Sequence, residues 1–239
     1  MEPIAVRAAY ATAEGLEQTA ELSAIDLREV AWGAPVRVPP SYAGQRNYPG
    51  LFWSATNRDH VVYESRLELE WLWLADFDPT IVRLAAQPLR IVGRDGPRER
   101  VRYPDFLAVD ADGRGLVVDV KPEAMLADPA VQASLAWTSR TMGDAGLAYA
   151  VWTGAPDVVL RNVRLLASVR RPGMVPEHAI RAAAEICPIT GSSIGELEAR
   201  LAATADVPPR AAIFAALWKS RLRCDMTHPL STLTQVVPV

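Results

Sequence analysis

The sequence predicts an α/β protein in which a mixed sheet flanked by helices is followed by a smaller, mostly helical unit. Three observations carry this. A stretch of helical periodicity is followed by several short strand-like runs, then a second helix and a further apolar strand. An Asp-Gly pair inside DADGRG marks a tight hairpin between two of those runs. Pro172-Gly173 then punctuates the chain ahead of three amphipathic helices.

Taken in order, residues 1–57 pattern weakly and are read as an N-terminal extension, with RVPPSYAGQRNYPG (37–50) a loop rich in Pro, Gly and Tyr. A helix is expected from Glu64 to Ala75, with Leu67, Trp71 and Leu74 at i, i+4 and i+7, and Pro79 ends it. Strand-like runs follow at 81–84, 89–92, 103–109 and 116–120. Asp128 suits the N-cap of a helix over Pro129 to Met142, which Gly143 to Gly146 stops, and LAYAVWT (147–153) reads as a buried strand. These elements define a domain over 58–171. In the remaining 172–239, helices are expected around 177–186, 194–203 and 209–222, the third after the stiff turn Asp206-Val207-Pro208-Pro209. RCDMTHPLSTLTQV then reads as a small hairpin turning at His228-Pro229. Helix, turn, basic helix and hairpin outline a winged helix-turn-helix, so this region is expected to be winged-helix-like.

A chain of 239 residues can bury one sizeable core and a small second one. No apolar run reaches the roughly 18 residues needed to span a bilayer, so no membrane association is expected. MEPIAVRAAYATAEG lacks a charged start followed by an apolar stretch, and a cytoplasmic location is expected. Cys187 and Cys224 make neither metal spacing nor a disulfide framework. A net charge of −3 argues against coating nucleic acid by bulk charge. Basic residues nonetheless cluster, as Arg161, Arg164, Arg170 and Arg171 and as Arg210, Lys219, Arg221 and Arg223, runs that suit either local DNA contacts or solvated faces. Of 25 basic residues only Lys121 and Lys219 are lysine, which hints that a compact ammonium is needed at those positions.

The sharpest chemical signal is Tyr103-Pro104-Asp105 followed by Asp119-Val120-Lys121. Asp119 and Lys121 are two apart on a strand and so point to one face. A hairpin turning inside DADGRG places Asp105 opposite residue 120 or its neighbour, beside both. Two carboxylates and an ammonium are what Mg²⁺-assisted phosphodiester hydrolysis uses: oxygen ligands for the ion and a cation for charge building on the phosphate. Asp-Val-Lys is also a common strand sequence, and an Asp after Pro often simply begins a strand. Glu68 adds a third carboxylate on the helix flank expected to meet the sheet, where it is costly unless paired or metal-bound. Glu64, four residues earlier, competes for that role. His60, His178 and His228 show no mutual spacing.

Residues 58–153 resemble the TnsA-like endonuclease subunits of heteromeric cut-and-paste transposases, in the PD-(D/E)xK nuclease superfamily. ESRLELEWLWLADFDPTIVRLAAQPL is similar to the family's S-x-L-E helix, strand and Q-P element, RYPDFLAV to its D-F-L strand, and VVDVKPEAML to its (E/Q/D)-x-K-P strand. The resemblance implies a restriction-endonuclease-like core. It implies Glu68, Asp105 and Asp119 as catalytic residues and ligands of Mg²⁺, for which Mn²⁺ can substitute, and Lys121 as the catalytic lysine. Asp119 is shorter than the Glu of many superfamily members. Gln87 matches the Q-P element, as a positioning residue or a structural hydrogen-bonder. By the same resemblance the chain is expected to cut one strand of double-stranded DNA at transposon ends. A DDE-type transposase would cut and join the other strand, and an AAA ATPase would act as regulator. A stand-alone restriction or repair nuclease and a non-catalytic DNA-binding assembly subunit are the alternatives.

Overall fold

A computed structural model describes residues 6–37, 49–203 and 206–239, so most of the expected 37–50 loop lies outside the described residues. The chain divides into two compact units, 1–154 and 155–239. This division differs from the sequence expectation at both ends. The described residues before 58 build strands and a helix of the first unit. The second unit starts at Ala155 rather than near Pro172, because a helix over 157–166 belongs to it.

The first unit begins with β1 (Arg7–Ala11), β2 (Glu17–Glu21) and the short α1 (Leu27–Trp32), capped by Asp26, whose carboxylate accepts from Arg28 N. The hairpin β3 (Gly50–Ser54) and β4 (Asp59–Tyr63) follows, then α2 (Arg66–Phe77). Next come β5 (Ile81–Ala86), β6 (Arg90–Asp95), β7 (Arg98–Arg102), β8 (Phe106–Asp110) and β9 (Gly115–Val120). The unit closes with α3 (Pro129–Asp144) and β10 (Ala148–Trp152). Asp128 caps α3 as expected, accepting from Ala130 N. β8 starts later than the expected 103, because Pro104 has no N–H to give a ladder.

Two sheets result. One is mixed, in the order β10-β9-β8-β5, with β10 and β9 parallel and the other pairs antiparallel. The other is antiparallel, in the order β2-β1-β6-β7. β7 (RERVR) carries no apolar alternation, which an edge strand tolerates. The central β8–β9 hairpin turns where DADGRG requires, with Gly113 at φ 83°, the left-handed region that glycine enters freely.

The central strands β8 and β9 of the mixed sheet are buried on both faces, and side-chain alternation sorts their residues between two cores. Phe106, Ala108, Val118 and Val120 pack with Trp71, Leu72 and Ala75 of α2 and with Phe52 and Val61 of the β3–β4 hairpin. Leu107, Val109 and Val117 pack with Val30 and Ala31 of α1, Trp137 and Met142 of α3, and Ala8, Tyr10 and Ile91 of the second sheet. Trp71 stacks on Phe106 with ring centroids 4.5 Å apart. The buried stripe of α2 is Glu68, Trp71, Leu72, Ala75 and Asp76, turned from the expected Leu67–Trp71–Leu74 stripe.

In the second unit, α4 (Asp157–Leu166) precedes α5 (Glu177–Glu185), β11 (Ser192–Ser193), α6 (Ile194–Leu201), α7 (Pro209–Trp218), β12 (Leu222–Cys224) and β13 (Gln235–Pro238). The expected hairpin is present as β12 against β13, with β11 on the outer side of β13. Buried Asn162 holds its connection, donating to Met226 O and His228 O and accepting from Leu230 N. α7 is buried from Ala212 through Trp218. Both cysteines are free thiols. No helix among the described residues is long and apolar enough to cross a membrane.

Asp76 fixes the far end of α2. Its carboxylate accepts from Ser54 Oγ (2.6 Å), Thr56 N (2.9 Å) and Ala55 N (3.0 Å), pinning the β3–β4 turn. Replacing it by alanine strands these donors in a buried place. Asp76→Ala should therefore lower stability by about 3 kcal/mol in urea unfolding; a loss under about 1 kcal/mol would mean that water replaces the carboxylate.

Candidate active site

The β8–β9 register decides where the acidic residues meet. The last ladder pair is Phe106 with Val118, and Asp105 N continues the ladder by donating to Val118 O at 3.0 Å. Asp105 thus comes to the end of β9, as expected. Its Oδ2 accepts from Val120 N (2.7 Å) and from Lys121 Nζ (3.0 Å). Lys121 Nζ also donates to Val120 O (2.9 Å), and Lys121 N donates to Trp152 O (2.9 Å), tying the lysine to β10. An ammonium has three N–H donors, so these contacts leave one of them for a ligand. Burial raises the Asp105 pKa and the Asp119 charge adds to the rise, while the Lys121 ammonium opposes it.

Glu68 approaches from α2. Ser65 caps that helix, accepting from Glu68 N (3.1 Å) and donating to Glu68 Oε1 (2.9 Å), while Glu64 N donates to Glu68 Oε2 (2.8 Å). Burial pushes the Glu68 pKa up to about 7, and the nearby charges of Asp105 and Glu64 add to the rise. A carboxyl titrating there can exchange a proton at neutral pH. The competing Glu64 is instead paired with Arg37 at 2.6 Å.

Asp119, two residues before the lysine, is held by partners other than those of Asp105. It shares the face of Val117, under the second sheet, and is fully buried. Its Oδ2 accepts from Arg102 Nη2 (2.6 Å) and from the Tyr149 hydroxyl (2.5 Å), while Arg102 Nη1 donates to Ser134 Oγ (3.0 Å). Burial, reinforced by the Asp119 charge, raises the Tyr149 pKa and keeps the phenol protonated. Sequence reasoning missed Arg102 and Tyr149. Arg102 lies just before the Tyr-Pro-Asp motif, but neither β7 nor the facing side of β10 signals a carboxylate partner.

The structure therefore joins Asp105 to Lys121 directly, with Glu68 and Asp119 within charge range of Asp105. Among the described residues no three His, Cys, Asp or Glu side chains close into a ready-made metal cage. Two carboxylate oxygens nonetheless carry no hydrogen bond from the described residues. Both Asp105 bonds fall on Oδ2, leaving Oδ1 unengaged, and Asp119 Oδ1 is buried with no hydrogen-bond partner. Mg²⁺ keeps several waters and takes one or two protein carboxylates, so this donor set fits it. The histidines lie elsewhere, His178 against Asp206 and His228 against Asp225. In comparisons with known proteins the chain matches no family model and no curated protein.

The raised Glu68 pKa makes stability depend on pH. Between about 4.5, the unfolded value, and about 7, the folded state binds more protons than the unfolded chain. The contribution is full below the lower value and is lost as pH rises through the upper one. In metal-free buffer, Glu68→Gln should remove a pH-dependent loss on the order of 3 kcal/mol, read by urea unfolding at pH 5 and pH 8. Equal slopes for both proteins would contradict the assignment.

Proposed function

We propose that the chain is a Mg²⁺-dependent DNA endonuclease and the strand-cutting subunit of a cut-and-paste transposase. The observation that carries the reading is the half-buried Asp105–Lys121 pair, 3.0 Å apart at the ends of adjacent strands, with Glu68 in charge range. The resemblance of residues 58–153 to TnsA-like endonucleases adds the transposition context and the restriction-endonuclease-like description of the mixed sheet. On this reading Asp105 Oδ1 is a direct ligand of the ion, with Glu68 and Asp119 Oδ1 as further oxygens. When bound, Mg²⁺ would polarise the scissile phosphate and make its own water a stronger nucleophile. Lys121 turns its remaining N–H to a phosphate oxygen and stabilises the charge that builds there. Asp105 holds that ammonium in place, and Val120 N holds Asp105. Glu68, able to lose a proton near neutrality, is driven to its ionised form by a neighbouring cation.

The second unit is read as winged-helix-like. Its order of helix, short strand, two helices, strand, loop and strand supports this, as does the sheet order β11-β13-β12. A role in binding a protein partner suits it better than reading DNA through α7. That helix is buried, and cations around it are already paired: Arg210 with Glu198, and Lys219 and Arg221 with Glu177. The proposed partners are a DDE-type transposase and an AAA ATPase, whose genes next to this one would favour transposition over a stand-alone nuclease.

A supercoiled plasmid nicking assay, run on the chain alone and co-expressed with the transposase, tests the reading. Nicking should require Mg²⁺ or Mn²⁺, and Asp105→Ala and Lys121→Ala should each slow it by about 10³-fold with the circular dichroism spectrum unchanged. Lys121→Arg should also be poor, because a planar guanidinium does not replace a compact ammonium. Wild-type rates in Asp105→Ala would end the proposal.

A further inference from the structure

Gln87 combines a left-handed backbone with a buried side-chain oxygen that has no hydrogen-bond partner. Its φ of 46° is left-handed, a region a non-glycine residue avoids. Pro88 biases the residue before it towards extended backbone, so the turn is no local preference. The residue is 3% exposed, and its Oε1 is sealed from solvent without a hydrogen-bond partner. Strain and an orphaned buried amide oxygen at one residue persist where the surroundings impose them, most often at functional sites.

Its place gives these features a use. The last β5–β8 pair is Ala86 with Phe106, and Gln87 N then donates to Asp105 O at 2.8 Å. Gln87 O accepts from Val36 N at 2.9 Å, which fixes the turn from the other side. Across the ends of three neighbouring strands the order along the backbone is therefore Lys121, Asp105, Gln87, with the Lys121 ammonium on the Asp105 carboxylate. A carboxamide has one accepting and one donating end. A phosphodiester with a hydrated divalent ion offers the matching groups, water hydrogens for Oε1 and phosphate oxygens for Nε2.

We propose that Gln87 is a further binding residue of this site, whose carboxamide engages the scissile phosphate and the water shell of the ion. The inference rests on the nuclease reading. It separates two properties that a structural glutamine would keep together, because removing an unpartnered amide does not harm the fold while removing a ligand-binding one harms function.

The test uses the full chain carrying Gln87→Leu, with melting temperature measured in EDTA, Mn²⁺ affinity by calorimetry, and plasmid nicking. The melting temperature should hold or rise, while Mn²⁺ affinity or nicking falls about tenfold or more. Gln87→Gly, which relaxes the left-handed backbone, should behave the same way and serves if the leucine variant folds poorly. A lower melting temperature in both variants would make the amide structural and overturn the inference. So would a maintained melting temperature with Mn²⁺ affinity and nicking equal to wild type, and in that case the nuclease reading would stand. Failure of the wild-type protein to nick DNA or bind Mn²⁺ would remove both.

Discussion

Lys121 Nζ reaches Asp105 Oδ2 across the ends of β8 and β9, and the same carboxylate oxygen is held by Val120 N. Neither partner can move far without opening the hairpin that carries both. A buried carboxylate is costly unless something offsets its lost hydration. Here the ammonium and a backbone N–H do so on one oxygen and leave the other oxygen open. The hairpin in turn depends on Phe106, Leu107, Val117 and Val118, which fill the cores on its two faces. Packing well away from the pair thus fixes its geometry, which is the preorganisation that charge stabilisation at a phosphate needs.

The two faces of the mixed sheet contribute unequally. α2 brings Glu68, whose oxygens are held by its own helix start and whose pKa is lifted by burial. The opposite face brings Asp119, anchored by Arg102 and Tyr149 on one oxygen and bare on the other. An acid so firmly held cannot swing to follow a ligand. It sets a fixed negative charge near Asp105, which helps to raise the Asp105 pKa.

What was legible in the sequence was what local rules determine. The Asp-Gly turn fixed the hairpin, the hairpin fixed the register, and the register put Asp105 beside Lys121. The Asp128 cap of α3 follows the same logic. The buried stripe of α2 was harder to read, since ELEWLWLADF is apolar on several sides and the facing core decides which side is covered. Asp119 was placed on the right strand, but its partners come from β7, a charged edge strand without periodicity. β2 is exposed along most of its length and its strand β1 is alanine-rich, so neither stood out from the first 57 residues. α7 was read as a basic amphipathic helix, whereas its cations cluster at and beyond its ends and its middle is core. Pro172-Gly173 marks a turn of the chain, while the division between units follows packing and falls earlier.

The claim on which the account stands is that a divalent ion is held at Asp105, next to the Lys121 amine. Anomalous diffraction from Mn²⁺-soaked crystals of the full chain tests it most directly. A peak is expected within coordination distance of Asp105 Oδ1 on the Lys121 side, with Glu68 or Asp119 supplying a further oxygen directly or through water. An ordered, well-resolved site with no manganese there at saturating concentration, or a peak ligated only by residues elsewhere, would contradict it.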